Sequence, residues 1–145
     1  MQIYTLSDLQ QYLNDNNITH FSAKEITHLT RPDINVLPER DLWGNIIETL
    51  LFLEGMRLLF GPILIYSGYR PSYYNSEVGG AKNSQHLYFR AADSCPKNHK
   101  LFEDFKREIH KAWLQDGREK RMGVGGYSNF VHIDFGFLYR LWGIW

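Results

Sequence analysis

The hydrophobic pattern of this 145-residue chain changes in kind at Ile63. Before Phe60, apolar residues recur at every third or fourth position, which is the spacing of an amphipathic helix. From Ile63 onward they gather in short, partly β-branched runs bounded by Gly and Pro, which is typical of strands. Helices followed by strands, with one further helix inserted, indicate an α+β fold. The length suits a single domain over residues 1–145.

Helix signals are found on both sides of this change. The strongest predicted helix runs from about Pro38 to Phe60, followed by Gly61-Pro62, and a second amphipathic helix runs from Asn98 to Leu114. Near the N-terminus, two Ser residues each precede a Gln or Glu by three positions, which is the spacing of a capping box. These pairs are Ser7 with Gln10 and Ser22 with Glu25.

Strands are predicted only in the second part of the chain. The predicted strands are Ile63–Tyr66, Arg90–Ser94 and Phe130–Phe135, the last being the final clear strand in the chain. Residues 72–85 are polar and contain Gly79-Gly80, which predicts a loop. The segment Gly123–Tyr127 leads back to the last strand.

Composition excludes several classes of function. Sixteen basic and sixteen acidic residues cancel, so the net charge gives no reason to expect a nucleic-acid partner. A single cysteine, Cys95, excludes an internal disulfide framework. Glu54 and Arg57 interrupt the longest apolar stretch, so membrane insertion is not expected. No secretory signal is visible, and we expect synthesis in the cytoplasm, whatever the site of action.

Two histidines and a carboxylate carry the chemistry that the sequence indicates. His86 and Asp93 are separated by a short turn, and His132 comes from a later strand. Imidazole nitrogen and carboxylate oxygen are the ligands of a catalytic zinc that keeps its fourth position for water. Any one of these histidines could instead be a surface or core residue, and the interpretation depends on the residues around them.

Those surroundings resemble the M15 group of zinc peptidases, over roughly residues 21–140. The motifs that carry the resemblance are Ser67-Gly68-Tyr69-Arg70, Val78-Gly79-Gly80-Ala81, Ser84-Gln85-His86, Arg90-Ala91-Ala92-Asp93, Gly123-Val124-Gly125 and Phe130-Val131-His132-Ile133-Asp134. The group includes D-Ala-D-Ala carboxypeptidases, D-Ala-D-Ala dipeptidases and phage endolysins, and Hedgehog domains share its fold. The resemblance implies a small antiparallel sheet that carries the zinc site and packs against N-terminal helices and one inserted helix.

The resemblance also assigns roles to individual residues. It implies Zn²⁺ as the cofactor, with His86, Asp93 and His132 as its ligands. Arg70 corresponds to the arginine that stabilises the oxyanion of the tetrahedral intermediate, and Ser84 to a serine that helps hold substrate. A phenol is expected to contact substrate or transition state, and Tyr69 and Tyr127 are the candidates.

The sequence departs from the family pattern at two positions. Relatives typically have Gly three residues after the first histidine ligand, where this chain has Phe89, so either the loop is rebuilt or the ring intrudes on the groove. Several relatives have an acid or a histidine as the base three residues before the last ligand, where this chain has Asn129. Asp134 could replace that base, or it could support a ligand histidine from behind.

The resulting hypothesis is a zinc peptidase that hydrolyses peptide bonds in peptidoglycan stem peptides, as a D,D-carboxypeptidase or an endopeptidase. The alternative is a catalytically impaired binding or structural module of the same fold, prompted by Phe89 and Asn129. Phage structural proteins are possible partners, and action on the cell wall would follow release or association with a virion.

Overall fold

The computed structural model describes residues 2–31 and 36–145, which form an α+β fold as expected. The α-helices are α1 (Leu6–Asp15), α2 (Ala23–Thr27), α3 (Ile47–Phe60), α4 (Ser72–Glu77) and α5 (Phe102–Gln115). The strands are β1 (Ile63–Ser67), β2 (Ala91–Pro96), β3 (Gly123–Gly126), β4 (Val131–Asp134) and β5 (Arg140–Gly143). Short 3₁₀ turns span Arg40–Ile46, His99–Leu101 and Asp116–Arg118. Within the described ranges, no helix has the length and apolar character needed to cross a membrane.

One of the two predicted capping boxes is correct. Ser22 and Glu25 form a box at the start of α2. The box of α1 is formed by Thr5 and Asp8, and the predicted pairing of Ser7 with Gln10 is wrong. Gln10 has a tertiary role instead, because its side-chain oxygen accepts a hydrogen bond of 2.8 Å from the backbone of Ala23.

The long helix predicted from Pro38 to Phe60 is present in two parts. A 3₁₀ segment over Arg40–Ile46 leads into α3, which ends at Gly61 with a φ of 73°. A left-handed residue of this kind is favourable for glycine because no Cβ clashes with the backbone. The apolar face of α3 is buried through residues such as Leu50 and Leu53.

The prediction of a loop over residues 72–85 is wrong in its first part. Helix α4 begins directly after Pro71, whose fixed φ suits a helix start. Tyr74 of α4 is buried, and its hydroxyl lies 2.7 Å from the hydroxyl of Thr30. This contact with a distant residue stabilises a helix that has no apolar periodicity of its own.

The sheet has the strand order β1-β2-β4-β3-β5, and its last strand was not predicted. The four strands β1 to β4 pair antiparallel, whereas β5 runs parallel to β3. The expected antiparallel sheet is confirmed in β1 to β4, and β5 adds a parallel strand at one edge, so the complete sheet is mixed. The sequence of β5 shows no clear alternation of apolar and polar residues, and most of its residues are exposed. The strand is therefore recognised only from its pairing with β3.

Alternation along the strands gives the sheet two different faces. Ala92, Ile133 and Val124 stand beside one another on β2, β4 and β3, are fully buried, and belong to the core with α3 and α5. Asp93 and His132, one residue away on β2 and β4, are also direct cross-strand partners, and they stand on the opposite face. Packing of the core face therefore fixes the register of these strands, and with it the positions of the predicted ligands on the other face.

Phe89 keeps the backbone conformation that glycine would adopt. Its φ is 55°, and its ring is fully buried in the core, where it packs edge-on against Tyr69 with ring centres 5.9 Å apart. A left-handed residue with a Cβ costs about 1–2 kcal/mol. Burial of the ring offsets that cost, and the ring does not intrude on the groove.

This arrangement predicts a large loss of stability for one Phe→Gly change and a small effect for another. Phe89→Gly relieves the backbone but leaves a core cavity, so we expect the free energy of unfolding to fall by about 3 kcal/mol. Phe137 is the matched control, since it also has a positive φ, 62°, but its side chain is 68% exposed. Phe137→Gly should change stability by less than about 1 kcal/mol. Urea unfolding measures both, and equal losses would contradict this account.

Candidate metal centre

The first predicted ligand, His86, is held by a turn and by the backbone of a neighbouring segment. The chain turns after Ser84 and again after His86, through backbone hydrogen bonds from Leu87 to Ser84 and from Phe89 to His86. The His86 Nδ1 atom lies 2.7 Å from the carbonyl oxygen of Gly68. Because a carbonyl only accepts, Nδ1 carries the proton and Nε2 presents its lone pair.

The other two predicted ligands face each other across β2 and β4. Asp93 Oδ1 lies 3.0 Å from Nδ1 of His132 and 3.2 Å from Nε2 of His86. On its far side, Nε2 of His132 lies 2.8 Å from Oδ2 of Asp134. Each histidine therefore turns one nitrogen toward Asp93 and has the other engaged by an oxygen behind it.

The donor atoms of His86, Asp93 and His132 all lie within 4.8 Å of one another. All three residues line the same cavity, so a fourth position faces open space. Two imidazoles, one carboxylate and an open side make up the donor set of a catalytic zinc site. The oxygens of Gly68 and Asp134 behind the imidazoles are the partners that orient histidine ligands in such sites.

The three groups shift one another's pKa values. Burial lowers the pKa of His86 and outweighs the opposing effect of the nearby Asp93. Burial also acts to lower the pKa of His132, but hydrogen bonds to Asp134 and Asp93 outweigh it and raise that pKa. Burial acts to raise the pKa of Asp93, and the two histidines outweigh it, holding that pKa well below its usual range.

The cavity over the ligands has a volume of about 540 Å³. Its lining residues include Arg70, Ser84, His86, Asp93, Tyr127, Phe130, His132, Arg140 and Trp142. Two of them are arginines, and Asp93 is the one carboxylate among the described lining residues. The Arg70 Nε atom is buried without a hydrogen-bond partner in the described part of the chain. The cavity therefore presents positive charge beside the ligands.

The glycine loop before His86 makes room for Arg70. A Cβ on Gly80 would lie 3.1 Å from Nη1 of Arg70 and 2.1 Å from the side-chain oxygen of Asn75. Gly79 has a φ of 70°, which a residue with a Cβ adopts only with strain. The two glycines serve different purposes, one for the turn and one for close approach.

The structure brings Ser84 to the cavity but turns Tyr69 away from it. Ser84 lines the cavity, and its hydroxyl lies 3.3 Å from the backbone nitrogen of His86. Tyr69 packs against Phe89 and the core, because successive side chains of an extended segment point to opposite sides. Of the two tyrosines considered, Tyr127 is the one that lines the cavity.

Asp134, the candidate for the missing base, does not face the cavity. Asp134 is fully buried and lies behind His132, where its Oδ1 also accepts a 3.0 Å hydrogen bond from the backbone of Gly136. Asn129 is exposed in the turn between β3 and β4. This geometry favours the supporting role for Asp134 over the role of base.

Two residues that line the cavity were not predicted from the sequence. Arg140 and Trp142 both come from β5, the strand that was not predicted. Their spacing of two residues places them on the same face of a strand, which is the signal that could have found them. That spacing is informative only when the segment is already known to be a strand.

Two comparisons with known proteins agree with this geometry. The family model described as peptidase M15 matches residues 6–134 of the chain. The zinc D-Ala-D-Ala carboxypeptidase of Streptomyces albus G is 45% identical over 52 residues, which is 34% of this chain and 20% of that protein. The chain therefore covers about a fifth of that relative's length.

The raised pKa of His132 predicts how zinc binding depends on pH. Zinc must displace the proton that His132 holds between two carboxylates, so the apparent affinity should rise with pH until that proton is lost. Calorimetric titration in buffers of different ionisation enthalpy should show that zinc binding releases protons, and that fewer are released as the pH rises. An affinity that does not change between about pH 6 and 8 would contradict this assignment.

Removing one ligand should abolish the site. We expect His86→Ala to lose stoichiometric zinc, measured by elemental analysis after gel filtration. His99→Ala is the matched control, because His99 is exposed on a 3₁₀ turn and should leave zinc content unchanged.

Proposed function

The chain belongs to the peptidase M15 family, with zinc as its cofactor, and we propose that it hydrolyses peptide bonds in the stem peptides of peptidoglycan. The observation that carries the proposal is the convergence of His86, Asp93 and His132 in a cavity that Arg70 also lines, with its buried Nε atom lacking a hydrogen-bond partner in the described part of the chain. A metal site and a fixed cation together suit hydrolysis of a carbonyl substrate.

Two observations support the choice of substrate. The Streptomyces albus G relative is named for action on D-Ala-D-Ala, which supports a peptidoglycan stem as the target. The cavity lining has two arginines and only the ligand Asp93 as a carboxylate among described residues, which suits a peptide that carries carboxylates. The same charges suit a carboxypeptidase and an endopeptidase, and digestion products distinguish these two activities.

Different residues of the cavity bind the substrate and stabilise the charge that develops during hydrolysis. Zinc, when bound, supplies a Lewis acid that polarises a carbonyl and lowers the pKa of water. Arg70 contributes a positive charge already fixed in the cavity, where negative charge develops on the carbonyl oxygen of the substrate. Ser84 lies on the same wall and is positioned to hold the peptide.

We assign Asp134 a supporting role rather than that of the base. Its Oδ2 accepts the hydrogen bond from Nε2 of His132, which directs Nδ1 toward Asp93 and increases the basicity of the ring. A carboxylate that is fully buried behind the ligand has no path to a proton in the cavity. Asp93 is thus the one described carboxylate that faces the substrate.

Digestion of purified muropeptides tests the function. Wild type should release peptides or terminal residues identified by mass spectrometry, and His86→Ala should release none. Arg70→Gln should keep its zinc but lose about 10²- to 10³-fold in kcat, as when one oxyanion donor is removed. A wild-type protein that binds zinc and cuts nothing would overturn the proposal.

Asp134→Asn separates the two roles of that residue. A supporting role predicts that zinc affinity falls about 10- to 100-fold while kcat at saturating zinc stays within a few-fold of wild type. A base would instead predict a loss of about 10²-fold or more in kcat at any zinc concentration. Activity measured across a zinc titration gives both quantities, with His99→Ala as the control.

A second function, a zinc-binding module without turnover, is favoured by one observation. The position of the usual base is the exposed Asn129, and no second carboxylate lines the cavity among the described residues. Stoichiometric zinc and binding to cell-wall sacculi without release of peptides would support this function. Attachment to phage structural proteins and action on the wall from a virion are proposals from the family resemblance, and co-purification with phage particles tests them.

A further inference from the structure

The C-terminal strand β5 lies beyond the family match, yet it forms part of the cavity wall. The match ends at residue 134, whereas β5 spans Arg140–Gly143. Strand pairing places Asp93, His132, Gly125 and Trp142 in one row across β2, β4, β3 and β5. Trp142 therefore stands on the same face as the metal ligands, two strands away from His132.

Gly125 lets the Trp142 side chain cross the strand between them. A Cβ on Gly125 would lie 2.3–2.5 Å from atoms of the Trp142 ring, so the indole occupies the space that any other residue would fill. The ring reaches His132, with ring centres 5.0 Å apart. The glycine of β3 thus allows the edge strand to contact a metal ligand.

The indole also fixes the phenol of Tyr127. The Trp142 Nε1–H donates a 3.0 Å hydrogen bond to the Tyr127 hydroxyl oxygen. Because an indole can only donate, the hydroxyl keeps its own hydrogen for another acceptor. The Tyr127 ring stacks on Phe130 with ring centres 4.4 Å apart and planes 13° apart, which restricts its orientation.

Tyr127 and Arg70 act on the same region of the cavity. Both line it, together with the three predicted metal ligands. Tyr127 is 39% exposed as a residue and lines the cavity, so it is open to a ligand while its hydroxyl oxygen accepts the hydrogen bond from Trp142. A hydroxyl with this geometry has its free hydrogen available to a substrate oxygen.

We propose that Tyr127 is a second hydrogen-bond donor, beside Arg70, to the carbonyl oxygen of the scissile bond, and that Trp142 is the residue that positions it. This inference rests on the proposed peptidase function. The phenol keeps its proton throughout and contributes only a hydrogen bond, which strengthens as charge develops on the oxygen. The C-terminal strand is thereby part of the active site.

Two conservative variants and their combination test the proposal on the full chain. Tyr127→Phe removes only the hydroxyl, and Trp142→Phe keeps a ring over Gly125 but removes the N–H. We expect Tyr127→Phe to lower kcat at least about tenfold with a smaller effect on KM. Trp142→Phe should lose part of that factor, and the double variant should be no slower than Tyr127→Phe, because the two residues act through one group.

Binding of a phosphinate dipeptide, a mimic of the tetrahedral transition state, provides a readout without turnover. Its affinity for Tyr127→Phe should fall by the same factor as kcat/KM, while affinity for a product dipeptide changes little. Zinc content and melting temperature should match wild type in both single variants. Gly125→Ala, which displaces the indole, should reproduce the effect of Trp142→Phe.

The control variants make the same two substitutions, Trp→Phe and Tyr→Phe, at positions that do not line the cavity. Trp113→Phe removes an indole nitrogen that is buried with no hydrogen-bond partner in the described chain, and Tyr4→Phe removes a hydroxyl that donates a hydrogen bond to nearby Gln2. Both should leave kcat unchanged. Full activity of Tyr127→Phe, or additive losses in the double variant, would overturn the inference while leaving the peptidase function intact. A wild type that cuts no muropeptide would overturn both.

Discussion

The buried carboxylate of Asp93, shared between two histidines, is the interaction on which the site depends. A charge in this position is costly unless it is paired and hydrogen-bonded. The cross-strand pairing with His132 supplies a hydrogen-bonded partner, and the turn that carries His86 places Nε2 of that ring beside the same carboxylate oxygen. Gly68 and Asp134 satisfy the outer nitrogens of the rings, so each member of the cluster has a partner. A divalent cation would replace these contacts with stronger ones from the same atoms.

The glycines of β3 connect this cluster to the edge of the sheet. Gly125 leaves space for Trp142 to reach His132, and Gly123 leaves space for the carboxylate of Asp134, which lies 3.4 Å from the guanidinium of Arg140. At both positions a glycine of β3 leaves room for the side chain of a neighbouring strand, and a residue of β5 contacts a residue of β4. The C-terminal strand therefore supports His132 in two ways. Trp142 contacts the ring directly, and Arg140 lies beside Asp134, which bonds the far side of that ring.

Much of the fold could be predicted because its signals are local. The periodicity of α3 and α5, the capping box at Ser22 and the apolar runs of the inner strands depend on neighbouring residues. Helix α4 and strand β5 were missed because each is stabilised by a distant partner: Thr30 in one case and β3 in the other. Phe89 likewise shows that a large buried ring can offset a backbone conformation that favours glycine.

The sequence by itself determined the order of the motifs, the α+β class and the identity of three potential zinc ligands, because residue type and spacing carry that information. Tertiary structure alone decided which side chains share the cavity. It turned Tyr69 into the core and Tyr127 toward the ligands, placed Asp134 behind His132, and added Arg140 and Trp142 from a strand with no local signal. The physical reason is that strand register and side-chain direction are set by partners far away along the chain.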